Sequence, residues 1–374
     1  MTIPPERWLL MLFGVMFAIG ALDHLAGGRL GLGRKFLDGL GTFPPLFLTM
    51  TGFLVLTPLL TRLLTPLVTP LFSAVGADPG LFAGIFLAND CGGYALAKEI
   101  AVRPEAAGFG GMLLGSLLGA NMICMPLILQ LMDRADFRYF FIGMMYGMMT
   151  MPLGMIAGGM AAGYSWDFML RQLPLLLVLA AAAALLLRFC PNALVKVLTV
   201  VAKIMEIISL SGASAAVFAE LAGIRIPGVE PVGDALRIIG SIVIVLPGVN
   251  VLTEILARLL RRQLTAVGRW LGINENAVAG FLSTLANSVP TLSRIREMDP
   301  RGKVLNCAFI SSGAFLLGDH LAFCSAVAPE FILPLSIAKA TGAVSAVALA
   351  LWWMKKVQPQ DRPMPTGGAS AGKA

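Results

Sequence analysis

Runs of about twenty apolar residues recur along nearly the whole of this 374-residue chain. Twenty residues is the length an α-helix needs to cross the hydrocarbon core of a bilayer. In that core every backbone polar group must be satisfied internally, so only helices and closed barrels span it. Strict period-two alternation is absent, which argues against a barrel. Charged residues make up only 13% of the chain, against about a quarter in soluble domains. The expectation is an all-α polytopic membrane protein whose first partner is the lipid bilayer.

The apolar blocks lie near 8–27, 43–64, 80–97, 108–132, 138–163, 169–189, 195–223, 234–260, 277–295, 303–326 and 331–354. Two of them are interrupted. The block 80–97 contains Asn89-Asp90-Cys91-Gly92-Gly93, and the block 277–295 contains Asn287, Ser288 and Pro290. The block from Trp8 lacks a small-residue cleavage site and reads as a retained helix. Residues 357–374 are rich in Pro, Gly, Ser and Ala and read as a disordered cytoplasmic tail.

The interrupted blocks are related. Val55-Leu56-Thr57 resembles Val251-Leu252-Thr253, Gly76 falls on Gly272, and Ala83-Gly84 falls on Ala279-Gly280, all at one offset. After two extra residues, Leu87-Ala88-Asn89-Asp90 matches Leu285-Ala286-Asn287-Ser288, and Lys98-Glu99 matches Arg296-Glu297. Loop charge then sets the geometry, because Lys and Arg favour the cytoplasmic side. Arg258, Arg261, Arg262, Arg269, Arg294, Arg296, Arg301 and Lys303 surround the second break, while the first has Arg62, Lys98 and Arg103. Equivalent loops with opposite charge bias are what inversion predicts. The reading is two inverted structural repeats whose broken, re-entrant helices meet near the midplane. Nine full crossings start outside and end inside. The first repeat covers 1–165 (re-entrant segment 80–97), a connecting transmembrane helix covers 166–194, and the second repeat covers 195–356 (re-entrant segment 277–295).

Net charge is +7, but the basic residues sit in short loops without interleaved aromatics, so nucleic acid is not the partner. The five cysteines (Cys91, Cys124, Cys190, Cys307, Cys324) form no CxxC pair, and the histidines are His24 and His320. Neither a disulfide framework nor a metal centre is expected, and no cofactor. An enzyme would need a nucleophile–base or metal set that is not supplied.

An ionisable residue inside a membrane block is a functional candidate. Asp90 leads: its carboxylate can pair with an ammonium group, or it can cap the half-helix that follows. Asn89 and Asn287 are repeat mates whose amides suit a hydroxyl, or serve the free backbone at the breaks. Ser288 stands where Asp90 stands in the other half, so the paired site carries one carboxylate, which fits a monocation. Gly318-Asp319-His320 corresponds roughly to Gly119-Ala120-Asn121. Asp319 can attract a cation and His320 can carry a proton, unless both lie at the outer end of their helix among headgroups. Tyr94 and Phe323 offer aromatic faces to a cation. Asp23-His24 beside Arg29 reads as an interfacial ion pair. Lys203 and Glu206 share a helix face and neutralise each other. Asn306 and Ser311-Ser312 line a polar path or bridge helices. The Met- and Gly-rich block 138–163 suits close helix contact, either as a scaffold or in a homodimer.

Several of these residues form a recognisable set: Phe82-Ala83-Gly84, Asp90 with Gly92-Gly93, Ala97-Lys98-Glu99, Arg301-Gly302-Lys303 with Asn306-Cys307-Ala308-Phe309, and Gly318-Asp319-His320-Leu321. Over most of its length, to about residue 350, the chain resembles the ethanolamine utilisation permease family (EutH-type). The resemblance implies a bacterial inner (cytoplasmic) membrane protein that imports ethanolamine, as a uniporter or a proton-coupled permease. The alternative is a secondary transporter of another small amine or neutral polar solute.

Overall fold

A computed structural model describes residues 5–121 and 132–356. Cys124 and the tail 357–374 lie outside the described residues. Every element is helical. We number them α1 (Pro5–Leu25), α2 (Leu32–Leu40), α3 (Phe43–Ala74), α4 (Gly80–Phe86), α5 (Tyr94–Ile100), the wide-turned α6 (Ala107–Gly119), α7 (Phe137–Ala161), α8 (Trp166–Phe189) and α9 (Pro191–Ala222). Then follow α10 (Val232–Leu259), α11 (Arg261–Leu271), α12 (Glu275–Ala286), α13 (Val289–Ser293), α14 (Pro300–Gly313), α15 (Asp319–Val327) and α16 (Ile332–Lys356).

Six helices among the described residues are long and apolar enough to cross a membrane: those within Arg7–Leu25, Leu32–Ala74, Arg134–Ala161, Trp166–Phe189, Val232–Leu259 and Pro329–Met354. Their outer faces are apolar. Trp8, Met11, Leu22, Leu170, Val178, Ile244 and Val344 are all exposed. So large an apolar surface is stable only against lipid or another protein.

The short pieces fill the interior. Both sequence interruptions are real breaks. Between α4 and α5, Leu87 and Ala88 are extended, and Gly92 takes φ +87 where an added Cβ would lie 2.7 Å from the Phe53 side chain. Only glycine adopts that conformation without strain. Between α12 and α13, Asn287 is extended. A third break separates α14 from α15, where Phe315 has φ +60, a strained value for a bulky residue.

Each interrupted segment returns to the end where it starts, and each return is tied by a carboxylate. Asp78 precedes α4, and its carboxylate accepts backbone N–H groups from Gly80 (2.9 Å), Val102 (3.2 Å) and Arg103 (3.0 Å). Asp299 follows α13 and accepts from Asn274 (2.8 Å) and Gly302 (3.0 Å). Hydrogen bonds to a charged acceptor contribute about 1.5–3 kcal/mol each. Asp78→Ala leaves three of these donors without their acceptor. The expected result is a loss of about 3 kcal/mol, read as a lower thermal midpoint in detergent, with Asp78→Asn in between.

Glycines let α6 press against the first hairpin. A Cβ at Gly111 would lie 2.5 Å from Ala97, at Gly115 3.0 Å from the Asn89 nitrogen, and at Gly119 1.9 Å from the Leu87 oxygen. This four-residue spacing of glycine is a membrane packing device. In the second half, the 314–318 loop pairs with the end of α12 through Phe315 N–H to Thr284 O (3.1 Å) and Leu317 N–H to Leu285 O (2.7 Å). The glycines of α7 serve contacts within the chain. Gly143 and Gly147 meet α14, and Gly154 and Gly158 meet α16. That is the scaffold use of the 138–163 block.

Asp23 departs from the expected ion pair with Arg29. It is buried, and its carboxylate accepts backbone N–H groups from Leu30, Leu32 and Gly33, each at 2.8 Å. It therefore shapes the turn from α1 to α2. Lys203 and Glu206 pair at 2.9 Å as expected.

Candidate functional site

The three breaks bring polar groups into the interior, where free backbone must be satisfied by protein or by a watery cavity. At the first break Asn89 is fully buried and Asp90 is 6% exposed. Asn89 Nδ2 reaches only the Met112 sulfur, at 3.5 Å. Asn89 Oδ1 and Asp90 Oδ1 are buried with no hydrogen-bond partner among the described residues, although the Asp90 carboxylate accepts from its own backbone N–H and from Cys91. No side chain caps α5, so Asp90 is not its cap. A buried carboxylate oxygen without a donor is costly.

Opposite the break stands a residue that the sequence reading left aside. Lys339 of α16 is 1% exposed. Its ammonium donates to the Ser116 carbonyl of α6 at 2.9 Å and meets His320 Nδ1 at 3.2 Å. It also lies within Coulombic reach of Asp90. The available signal was a lone lysine in the apolar block 331–354, since an ionisable side chain deep in such a block marks function by default.

His320 is buried at the start of α15, not among headgroups, and its ring lies 5.2 Å from that of Phe315. Asn121 Nδ2 donates to the Ser311 carbonyl at 2.7 Å, so it bridges the first half to α14. Asn121, Ser288, Ser116 and Lys339 line one small cavity of about 10 Å³, roughly the room of one water molecule. Asn306, in contrast, is structural: its amide donates to Ala277 O and Gly302 O, both at 2.9 Å.

Asp319 and Asn287 lie elsewhere. Both line a cavity of about 330 Å³ with Lys35, Asp38, Asn250, Glu254 and Pro290. Asn287 is exposed there, and its Oδ1 accepts from Val289 N–H at 2.8 Å. Asn287 thus serves its break, whereas Asn89 does not. Asp319 still feels the Asp90 charge. Tyr94 and Phe323, with ring centroids 6.5 Å apart, line a second cavity of about 450 Å³ with Lys98, Glu99, Glu230 and Asp234.

The two cavities share two walls. Along α10, Asp234 to Ile238 line one, and Leu246 to Ala257 line the other. Along α15, Asp319 lines one, and Phe323 and Val327 line the other. Ile238 and Leu246 are eight positions apart on α10, about 12 Å at 1.5 Å per residue. The eight candidate residues therefore fall into three zones. Asn89, Asp90, His320, Asn121 and Ser288 are central, Asn287 and Asp319 belong to one cavity, and Tyr94 belongs to the other.

These features define a multi-pass, all-α membrane protein with broken helices around a buried charged centre. Within that class the match is specific. The family model described as "Ethanolamine utilisation protein, EutH" matches residues 6–353, and the chain belongs to this family. It is 36% identical over 356 residues to a Listeria monocytogenes protein named "Probable ethanolamine permease EutH", covering 95% of each chain. A Salmonella typhimurium protein of the same name is 36% identical over 352 residues, 87% of this chain and 86% of its own. A Bacillus subtilis protein named "Uncharacterized protein YxeR" is 36% identical over 335 residues, 89% of this chain and 90% of its own. No solved structure matches the chain.

Proposed function

We propose that the chain imports ethanolamine across a bacterial inner membrane by alternating access, with Asp90 receiving the substrate ammonium. One observation carries this reading: the buried Asp90 oxygen without a hydrogen-bond partner among the described residues, at a helix break. Ethanolamine is a cation at neutral pH with a hydroxyl two carbons away. Asp90 matches the ammonium, and the Asn89 amide oxygen next to it suits a hydroxyl donor. Two carbons offer almost no apolar surface, so affinity must come from few polar contacts.

In this reading the two hairpins, 80–97 and 277–295, dip into the membrane from opposite faces as members of inverted repeats. The nine crossings then include α6, α9 and the broken pair α14–α15. The cavity beside Lys35 and Arg258 faces the cytoplasm, in keeping with its basic surroundings, and the Tyr94 cavity faces outward. The names carried by the relatives support ethanolamine. The carboxylate favours an amine over a neutral solute.

The test is uptake of labelled ethanolamine into proteoliposomes, with unlabelled competitors. Saturable uptake, blocked by small hydroxylated amines and untouched by ethylene glycol, is expected. Uptake no greater than in protein-free vesicles would sink the proposal. Imposing a pH gradient separates the mechanisms: acceleration marks proton coupling, and indifference marks uniport.

A further inference from the structure

α11 takes no part in the site described above. It follows α10 directly and has 11 residues, about 16 Å of helix. That is too short for a hydrocarbon core about 30 Å thick. Its sequence separates two faces. Arg262, Thr265 and Arg269 recur at helical spacing on one side, and Val267, Trp270 and Leu271 on the other, as steps of three and four residues do. A short helix with arginines on one face and Trp and aliphatic residues on the other lies in the plane of a membrane surface. Trp270 is 78% exposed, which suits the headgroup region. No residue of α11 is acidic. Arg258, just before it, is already paired with Glu254 at 2.8 Å. Arg262 and Arg269 are exposed and form no ion pair with any described residue.

The two faces have different surroundings. α11 crosses α12 where Gly268 meets Val278, so closely that an added Cβ would lie 2.2 Å from the valine side chain. A cavity of about 540 Å³ adjoins the charged face, with Arg258, Thr265, Arg269, Glu275 and Asn276. A recess of about 270 Å³ adjoins the apolar face, with Val267, Leu271, Phe281, Phe309 and Val344. The two share a wall at Gly268 and Val278. The recess reaches α16, which lies in a membrane-crossing span and exposes Val344. Its occupant must lay an apolar body along a membrane helix and offer a negative group to arginines at the membrane surface. A phospholipid does both. A free anion lacks the apolar body.

We propose that α11 lies in the cytoplasmic face of the bilayer and binds an anionic phospholipid, with the phosphate against Arg262 and Arg269 and an acyl chain in the recess beside Val267, Phe309 and Val344. The cytoplasmic leaflet is the anionic one. Since α11 packs on α12, the lipid anchors the second hairpin at its cytoplasmic end. This inference rests on the orientation proposed above, and not on which solute is carried.

Thermal midpoints of the detergent-solubilised protein, followed as lipid is added, test it, because a ligand of the folded state raises the midpoint. The probes are phosphatidylglycerol, phosphatidylcholine with the same chains, and inorganic phosphate. Phosphatidylglycerol should act at the lowest concentration. In Arg262→Gln/Arg269→Gln its apparent affinity should fall ~30-fold, about fivefold per arginine, while the response to phosphatidylcholine stays. Arg262→Lys/Arg269→Lys keeps both charges and should keep the preference. Equal stabilisation of the wild type by the two lipids, an undiminished preference in the glutamine variant, or an equal response to inorganic phosphate overturns the proposal. If the glutamine variant aggregates, the wild type in ~0.5 M salt replaces it: screening should narrow the gap between the lipids, and an unchanged gap is the overturning result. Proteoliposomes that fail to take up ethanolamine would remove the transport reading and leave these midpoints as they are.

Discussion

Asp90→Asn is expected to abolish saturable ethanolamine uptake while leaving the protein folded. The change is isosteric and removes only the charge. Removing one partner of a buried charged hydrogen bond costs about 2–5 kcal/mol, and each 1.4 kcal/mol is about tenfold. Uptake at low substrate should therefore fall at least ~30-fold. Asp90→Glu keeps the charge and moves it by one methylene, and should retain part of the activity. Wild-type uptake by the asparagine variant would remove Asp90 from the substrate path.

Gly318→Ala is expected to destabilise the third break. An added Cβ would lie 2.1 Å from the Ala286 carbonyl oxygen, which is backbone on both sides of the contact. The two strands cannot part without breaking the Leu317 N–H to Leu285 O bond. Overpacking of this kind costs about 3 kcal/mol, or a drop in thermal midpoint on the order of 5 °C. Uptake should be lost as well, because the third break places Asp319 and His320. Gly14→Ala is the control: nothing lies within 4 Å of the added Cβ, and it should change neither quantity. Equal stability of the two variants would contradict the crossing described here.

Both breaks were legible because Asn, Asp, Gly and Pro stand out in an apolar run. The α-helical class followed from block length and the absence of period-two alternation. Asp90 was legible for the same reason: a carboxylate in such a block has few bland explanations. Lys339 was passed over although it obeys the same rule. Its burial depends on α6 and α15 closing over it, and neither element is near it in sequence. Asp319 and His320 are neighbours that serve different places, one a cavity and the other the centre. Successive helical residues point about 100° apart, so adjacency promised less than it seemed to. Asp23 misled through its neighbour Arg29, since its actual donors are backbone groups that composition cannot display. The cavities arise where α10 and α15 run past broken helices, and no local pattern encodes them.

The thin wall between those cavities has an electrical consequence. A bilayer core is about 30 Å thick, but α15 has nine residues and spans about 13 Å. In the proposed arrangement each cavity admits water and salt, which conduct, so most of the membrane voltage falls across α15 and the polar centre beside it. A substrate ammonium passing that short stretch traverses nearly the full potential, worth about 2.3 kcal/mol per 100 mV. For a uniporter, a negative cell interior would then accumulate ethanolammonium roughly fiftyfold at that voltage, with no coupling ion at all.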